Sequence, residues 1–141
     1  MLVDAVGEPV AFGGAKLRLR DLARIGQMVL NGGVSMTGER VVSQEWLARS
    51  VTTDTAQSQP GAHDLTDYPL GYKNHWWIPV DRDDGDFTAI GIYSQFLYIN
   101  PVRKVVIALN SAFPQYNEDP EAELRMVTLL QAIARHVSPG T

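Results

Sequence analysis

The sequence has 141 residues, a length that suits one domain able to bury a substantial core. Hydrophobic residues make up 45% and charged residues 20%, which excludes a disordered chain and a fibrous repeat. Twelve Lys and Arg against sixteen Asp and Glu leave a net charge of −4, so nucleic acid is not expected as a partner.

The absence of cysteine excludes disulfides, thiolate nucleophiles and cysteine-ligated metals. No apolar run approaches the roughly 18 residues that a membrane span needs, so no membrane association is expected. The start, Met1-Leu2-Val3-Asp4, lacks the basic and then apolar pattern of a signal peptide. The chain as it stands is therefore expected to be soluble and cytoplasmic, while the compartment of any longer protein stays open.

The first third of the chain predicts a short extended segment and a helix. Residues 4–14 indicate a strand or loop that ends at the glycine pair 13–14. Between residues 19 and 31, apolar side chains recur every three or four positions, and Asn31-Gly32-Gly33 is a typical stop signal. This spacing predicts an amphipathic helix over residues 19–31.

A second, shorter helix is expected after Ser43, whose hydroxyl is typical of a helix N-cap. This helix should extend to about Val51, with Trp46 and Leu47 as its buried face. We expect both helices to belong to a helical region that neighbours the main sheet.

The second half of the chain predicts a sheet followed by a helix. Residues 52–69 are polar and predict a loop long enough to be functional or mobile. Runs rich in aromatic and β-branched residues then predict successive antiparallel strands at residues 72–80, 87–93, 95–100 and 104–110. After Pro120, apolar residues repeat at helical spacing up to residue 137, which predicts a terminal helix packed on the sheet. The predicted fold class is therefore α/β (α+β).

Local motifs for metal or nucleotide binding are missing from the sequence. The histidines are isolated from one another, so no metal and no cofactor is predicted; they are His63, His75 and His136. A cluster of aspartates resembles a calcium loop but lacks the glutamate that such a loop needs; it comprises Asp81, Asp83, Asp84 and Asp86. We interpret this cluster as a solvated hairpin tip.

The segment of residues 89–95 differs from the other predicted strands. Gly91 lies inside it, and a glycine within a strand usually marks a bulge or a close backbone approach. The polar run Tyr93-Ser94-Gln95 then interrupts an otherwise apolar sheet. Two interpretations remain open: a docking point for another molecule, or an ordinary buried strand with a glycine bulge.

Several glycines and charged residues in the first third form an ordered pattern. Its elements are Gly13-Gly14, Leu19-Arg20-Asp21-Leu22-Ala23-Arg24-Ile25-Gly26-Gln27, Asn31-Gly32-Gly33 and Gly38-Glu39-Arg40-Val41-Val42-Ser43-Gln44-Glu45-Trp46. In this order they resemble the signature of the serine β-lactamase-like hydrolases, which comprise class C β-lactamases, penicillin-binding proteins and esterases. The resemblance implies a partial β-lactamase/transpeptidase-like fold, an antiparallel sheet with the C-terminal helix packed on it.

Later motifs narrow the resemblance to one branch of these hydrolases. They are Leu70-Gly71-Tyr72 leading to Trp76-Trp77, Gly91-Ile92-Tyr93-Ser94-Gln95, and Tyr98-Ile99-Asn100-Pro101. These motifs are similar to the 6-aminohexanoate-dimer hydrolase branch, and the resemblance extends in order from about residue 4 to residue 138.

The nucleophile of these hydrolases is not found in the sequence. The family uses a Ser-x-x-Lys nucleophile and a Tyr-x-Asn element, and no serine here has a lysine three residues later. Tyr72-Lys73-Asn74 spells the second motif, but it lies downstream of the family's position, so we interpret it as coincidental. Residues 1–141 therefore resemble a single partial domain, the C-terminal portion of a larger hydrolase.

The resemblance also implies a site. Ile90-Gly91-Ile92 takes the place of the family's Lys-Thr-Gly strand, so the backbone N–H of Ile92 is the expected oxyanion donor. Gly91, Tyr93, Ser94 and Gln95 are the expected substrate-binding residues. Loss of the lysine favours a small-molecule amide or ester over a lactam as the substrate.

Two classes of function follow. The first is the C-terminal portion of a serine hydrolase that works through an acyl-enzyme when complete and is inactive alone. The second is a non-catalytic module that binds a ligand or assembles with a partner, which the missing nucleophile favours. In either class we expect a homo-oligomer or association with the missing N-terminal half.

Overall fold

A five-stranded antiparallel sheet with a helix on each face forms the centre of the protein. The computed structural model describes residues 3–10, 13–61, 68–82, 84–115, 119 and 121–137. The strands are β1 (Gly71–Lys73), β2 (Trp76–Ile78), β3 (Phe87–Gly91), β4 (Gln95–Asn100) and β5 (Val105–Leu109), and they follow this order across the sheet. The helices are α1 (Leu19–Leu30), α2 (Gln44–Ser50) and α3 (Ala122–Val137), with a short 3₁₀ helix at Ala56–Ser58.

Alternation along β4 sends neighbouring side chains to opposite faces of the sheet. Phe96 and Tyr98 pack in one core cluster with Leu130 and other residues of α3. Ile99 belongs to a second cluster, against which Leu30 of α1 packs. The predicted α/β fold with a C-terminal helix on an antiparallel sheet is therefore confirmed.

Helix α1 was expected in a helical region that neighbours the sheet, but it lies directly on β4 and β5. Gly26 is buried at the contact, where an added Cβ would lie 2.5 Å from Val106 Cγ1 and 2.8 Å from Leu97 Cδ1. A helix can approach the sheet this closely because glycine has no side chain. The position of α1 thus depends on one residue that its periodicity does not single out.

The predicted strand over residues 72–80 is wrong, because the chain reverses direction in the middle of it. Asn74 and His75 have φ values of 47° and 70°, and they connect β1 to β2 as a two-residue turn. Positive φ at both central residues is typical of the turns that match the twist of a hairpin. The Asn74 side chain also donates a hydrogen bond to Ser50 Oγ at 3.2 Å, so it ties this hairpin to α2.

Ser43 caps α2 as predicted, but the predicted buried face of this helix is only partly correct. The Ser43 side chain accepts a hydrogen bond from the backbone N–H of Trp46 at 3.1 Å. Trp46 is 51% exposed, Leu47 is half-buried, and Ser50 is the buried residue of the helix. The N-cap signal identified the helix, but it could not show how much of the helix packs against other elements.

The aspartate cluster is not uniformly solvated, contrary to the hairpin-tip interpretation. Asp86 is fully buried and accepts hydrogen bonds from the Tyr98 hydroxyl at 2.9 Å and from Gln131 Nε2 at 3.0 Å. These donors come from β4 and α3 and offset the cost of burying a carboxylate. Some positions used in the sequence predictions lie outside the described residues: 1–2, 11–12, 62–67 with His63, Asp83, Pro120 and 138.

Candidate functional site

The candidate site is the connection between β3 and β4. The strand predicted over residues 87–93 ends at Gly91, which pairs with Gln95, so the next three residues form a tight turn instead of continuing the strand. Tyr93 and Ser94 have φ values of 63° and 64°. This left-handed conformation costs a non-glycine residue about 1–2 kcal/mol, so the surrounding structure must hold the turn in place.

The segment after β5 holds the turn through three hydrogen bonds. The Gln95 side chain donates from Nε2 to the Ser111 carbonyl and accepts from the Ser111 N–H at 3.3 Å. The backbone N–H of Phe113 donates to the Tyr93 carbonyl at 3.3 Å. We call these three bonds the turn clamp. They connect residues that are 16 or more positions apart, so no local pattern in the sequence could have predicted them.

The five predicted site residues divide into an accessible part and an inward part. Ile92 is 60% exposed and Tyr93 is 45% exposed. Gly91 is also exposed, and since glycine is all backbone, the chain itself is accessible there. Ser94 is 6% exposed, and the amide of Gln95 is already bonded to backbone groups of Ser111. Gln95 therefore positions the turn, and its predicted role in substrate binding stays a prediction.

A groove of about 330 Å³ lies beside the turn, between Ser94 and α3. Its lining residues are Ser94, Ser111, Phe113, Ala122, Arg125, Met126 and Leu129. Sequence reasoning missed all of these residues except Ser94. The Arg125 guanidinium at the groove pairs with Asp119 and holds the pKa of that carboxyl below its usual range.

The turn contains no carboxylate, imidazole, amine or thiol. Its residues offer backbone groups, the phenol ring and hydroxyl of Tyr93, the hydroxyl of Ser94 and the amide of Gln95. Within the described ranges, no group of three or more His, Asp or Glu side chains is placed to hold a metal ion. None of the helices in those ranges is long and apolar enough to cross a membrane.

Comparisons with known proteins agree with the resemblance of the motifs. No protein-family model matches the chain. The 6-aminohexanoate-dimer hydrolase of Paenarthrobacter ureafaciens is 35% identical over 113 residues, which cover 79% of this chain. The chain is therefore similar to part of a 6-aminohexanoate-dimer hydrolase.

A solved structure shows the same similarity at the level of the fold. The structure named "Putative 6-aminohexanoate-dimer hydrolase from Bacillus anthracis" superposes with a TM-score of 0.63 and 30% identity over 86% of this chain. The chain spans 28% of the Paenarthrobacter hydrolase and 29% of the Bacillus structure. It therefore corresponds to less than a third of each of these relatives.

Proposed function

We propose that this chain is the C-terminal portion of a serine hydrolase and forms one wall of its active site. The complete enzyme acts on small-molecule amides or esters through an acyl-enzyme, and its β-lactamase-like remainder supplies the Ser-x-x-Lys nucleophile. The short coverage of both relatives and the absence of Ser-x-x-Lys here support this division of labour. The chain alone is therefore inactive as a hydrolase.

The exposed backbone at Gly91 and Ile92 is the observation that carries the proposal. When a serine Oγ attacks a substrate carbonyl, the carbonyl oxygen gains negative charge. A backbone N–H held rigidly beside that oxygen stabilises it, and one such donor is worth about 10²–10³ in kcat. Ile92 is the proposed donor, Gly91 lets the substrate approach the chain, and Tyr93 contributes an accessible ring. The turn clamp supplies the rigidity that this role needs.

A ligand-binding module without catalysis is the second candidate function. The groove between Ser94 and α3 favours it, because a small molecule can occupy that groove without any nucleophile. The two functions differ in a simple way: the first requires a serine from elsewhere, and the second requires only this chain.

Two measurements on the isolated chain test the proposal. With p-nitrophenyl esters and nitrocefin we expect background hydrolysis, because no residue here can form the acyl-enzyme. Saturable turnover that survives repurification would contradict the proposal. The second candidate is tested by titrating small amides up to millimolar concentration and measuring backbone NMR shifts at the turn and at the groove. Saturable binding whose shifts are confined to the groove would favour the second candidate.

The role of the turn is tested in a longer protein that contains both this region and a Ser-x-x-Lys motif. Gly91→Val should lower kcat about 10²-fold or more, because a side chain there covers the backbone and displaces the donor. Gly13→Val is the matched control, since an added Cβ at Gly13 meets no atom within 4 Å. Tyr93→Ala should mainly raise KM. Folded Gly91→Val protein with unchanged kcat would show that the turn is only structural.

A further inference from the structure

Ser94 carries a buried hydroxyl that has no hydrogen-bond partner among the described residues. The residue lies in the turn and is only 6% exposed. Buried polar groups nearly always have a partner, so an unpartnered one requires an explanation. Its Oγ is not one of the sealed polar atoms of the described ranges, and Ser94 lines the groove beside α3. The hydroxyl is therefore open to the groove.

The groove is formed between residues 94 and 129 of this chain. Besides Ser94, its walls come from the segment after β5 and from α3: Ser111, Phe113, Ala122, Arg125, Met126 and Leu129. The Ser94 hydroxyl is thus enclosed by elements that follow it in the chain, and the groove is a feature of this region itself.

The groove offers two hydroxyls and several apolar side chains to a ligand. The turn clamp uses only backbone groups of Ser111, so the Ser111 hydroxyl also has no partner within the described part of the chain. Phe113, Met126 and Leu129 supply apolar surface. A few polar groups in a mostly apolar pocket are typical of small-molecule sites, and about 330 Å³ is near the lower end of their volumes. The groove therefore fits a small molecule with one hydrogen-bonding group and a short apolar chain.

The charges at the groove favour a neutral ligand. The Arg125 guanidinium is already paired with two carboxylates, those of Asp119 and Glu121. A ligand carboxylate would therefore meet like charges, which disfavour binding. A ligand amine is also unsuitable, because burying its charge against apolar side chains is costly. An alcohol meets neither penalty, and its hydroxyl can both donate to and accept from a serine hydroxyl.

Ser94 also connects the groove to the conformation of the turn. It has a φ of 64° and follows Tyr93, whose φ is 63°, so the turn is strained. Relaxation of the turn would change the backbone angles at Ser94 and move its hydroxyl away from the groove. A ligand bonded to this hydroxyl therefore binds the strained conformation better than the relaxed one. Such a difference in affinity is what shifts a conformational equilibrium.

We propose that the groove is a binding site for a small neutral amphiphile of the short-chain alcohol class, and that the bound molecule stabilises the turn. The alcohol hydrogen-bonds to the Ser94 hydroxyl, and its alkyl chain packs against Phe113, Met126 and Leu129. This inference rests on the groove and the turn, so it holds or fails independently of the proposed hydrolase function.

Pentanol is the probe, titrated into the isolated chain and followed by backbone NMR. We expect saturable shifts at the groove with a Kd in the millimolar range, and about 3- to 4-fold tighter binding for each CH₂ added from propanol to pentanol. At about ten times the Kd, hydrogen exchange at the Phe113 amide should slow about 10-fold, because the ligand is lost when the turn opens. The Asn31 amide, which bonds to the Gln27 carbonyl at the end of α1, is the internal control and should not change.

Three results of this titration would overturn the proposal. The first is a shift that does not saturate, and the second is saturable binding with unchanged exchange at Phe113. The third is binding of pentanoate that equals or exceeds that of pentanol, since the site would then not select a neutral ligand.

Two variants locate the bound alcohol. Ser94→Ala keeps the Cβ but removes the hydroxyl, so it should weaken pentanol binding about 2- to 10-fold and reduce the protection at Phe113. Ala122→Leu places a larger side chain in the groove and should also weaken binding. Ala132→Leu is the matched control, because Ala132 is exposed on α3 and does not line the groove. If both Ser94→Ala and Ala122→Leu bind pentanol like the control, the alcohol binds elsewhere and the proposal is wrong.

The final measurement uses a longer protein that contains this region. The same shifts at the groove and the same protection at Phe113 are expected there. If another segment of that protein fills the groove, pentanol will not bind, and the proposal is overturned.

Discussion

Replacement of Gln95 by leucine should release the turn at the candidate site. Gln95→Leu keeps a side chain of similar length but removes both hydrogen bonds to the backbone of Ser111. A hydrogen bond of this kind contributes about 0.5–1.5 kcal/mol net. Because the site is partly buried, water can replace some of the lost partners. We therefore expect the free energy of unfolding to fall by about 1–2 kcal/mol.

The local effect of Gln95→Leu should exceed the global one. Tyr93 and Ser94 each hold about 1–2 kcal/mol of backbone strain, which the turn clamp opposes. With two of its three bonds removed, the turn can relax toward ordinary φ values. The remaining bond, from the Phe113 N–H to the Tyr93 carbonyl, should then break more often. Faster hydrogen exchange at Phe113 is the expected sign, at a rate about 10-fold or more above that of the parent protein.

Urea denaturation and amide exchange measured on the same samples give both quantities. Gln27→Leu is the matched control, because Gln27 lies on α1 and, among the described residues, its amide bonds to the Asn31 side chain at an exposed position. We expect a change of less than about 0.5 kcal/mol for this control. If Gln95→Leu unfolds like the control and leaves exchange at Phe113 unchanged, the turn does not depend on the clamp, and Ile92 is not held as a rigid donor.

Two further predictions concern the packing and the pH dependence of the fold. Gly26→Ala should destabilise the protein by about 1–2 kcal/mol, although alanine has the better helix propensity, because the new Cβ overlaps Val106. In urea denaturation, the double variant with Val106→Ala should recover part of that loss. Burial and the hydrogen bond to Glu123 raise the pKa of Tyr68 in the folded protein. The stability that the protonated phenol contributes is therefore fully present below about pH 10, the pKa of tyrosine in the unfolded chain, and is lost as the pH rises further. Tyr68→Phe should therefore flatten the decline in stability above about pH 10, and an unchanged slope in that range would contradict this.

Elements whose signals are local were predicted well from the sequence. The periodicity of residues 19–31 and the hydroxyl of Ser43 located α1 and the start of α2. The apolar runs at 95–100 and 104–110 located β4 and β5, and the terminal helix was found on the sheet as expected. The order of the motifs indicated the hydrolase family, which the comparisons then supported. The roles assigned to Ile92 and its neighbours remain predictions.

Only the tertiary structure decided how the candidate site is built. Gly91 and Gln95 were singled out by sequence, but the clamp partners Ser111 and Phe113 come from a segment beyond the next strand. Likewise, Asp86 is buried because β4 and α3 deliver hydrogen-bond donors to it, although its neighbours in sequence predict a solvated tip. Helix caps and periodicity act within a few residues, so they can be recognised along the chain. Burial, strain and hydrogen bonding at the turn depend on residues that meet only after the sheet has formed.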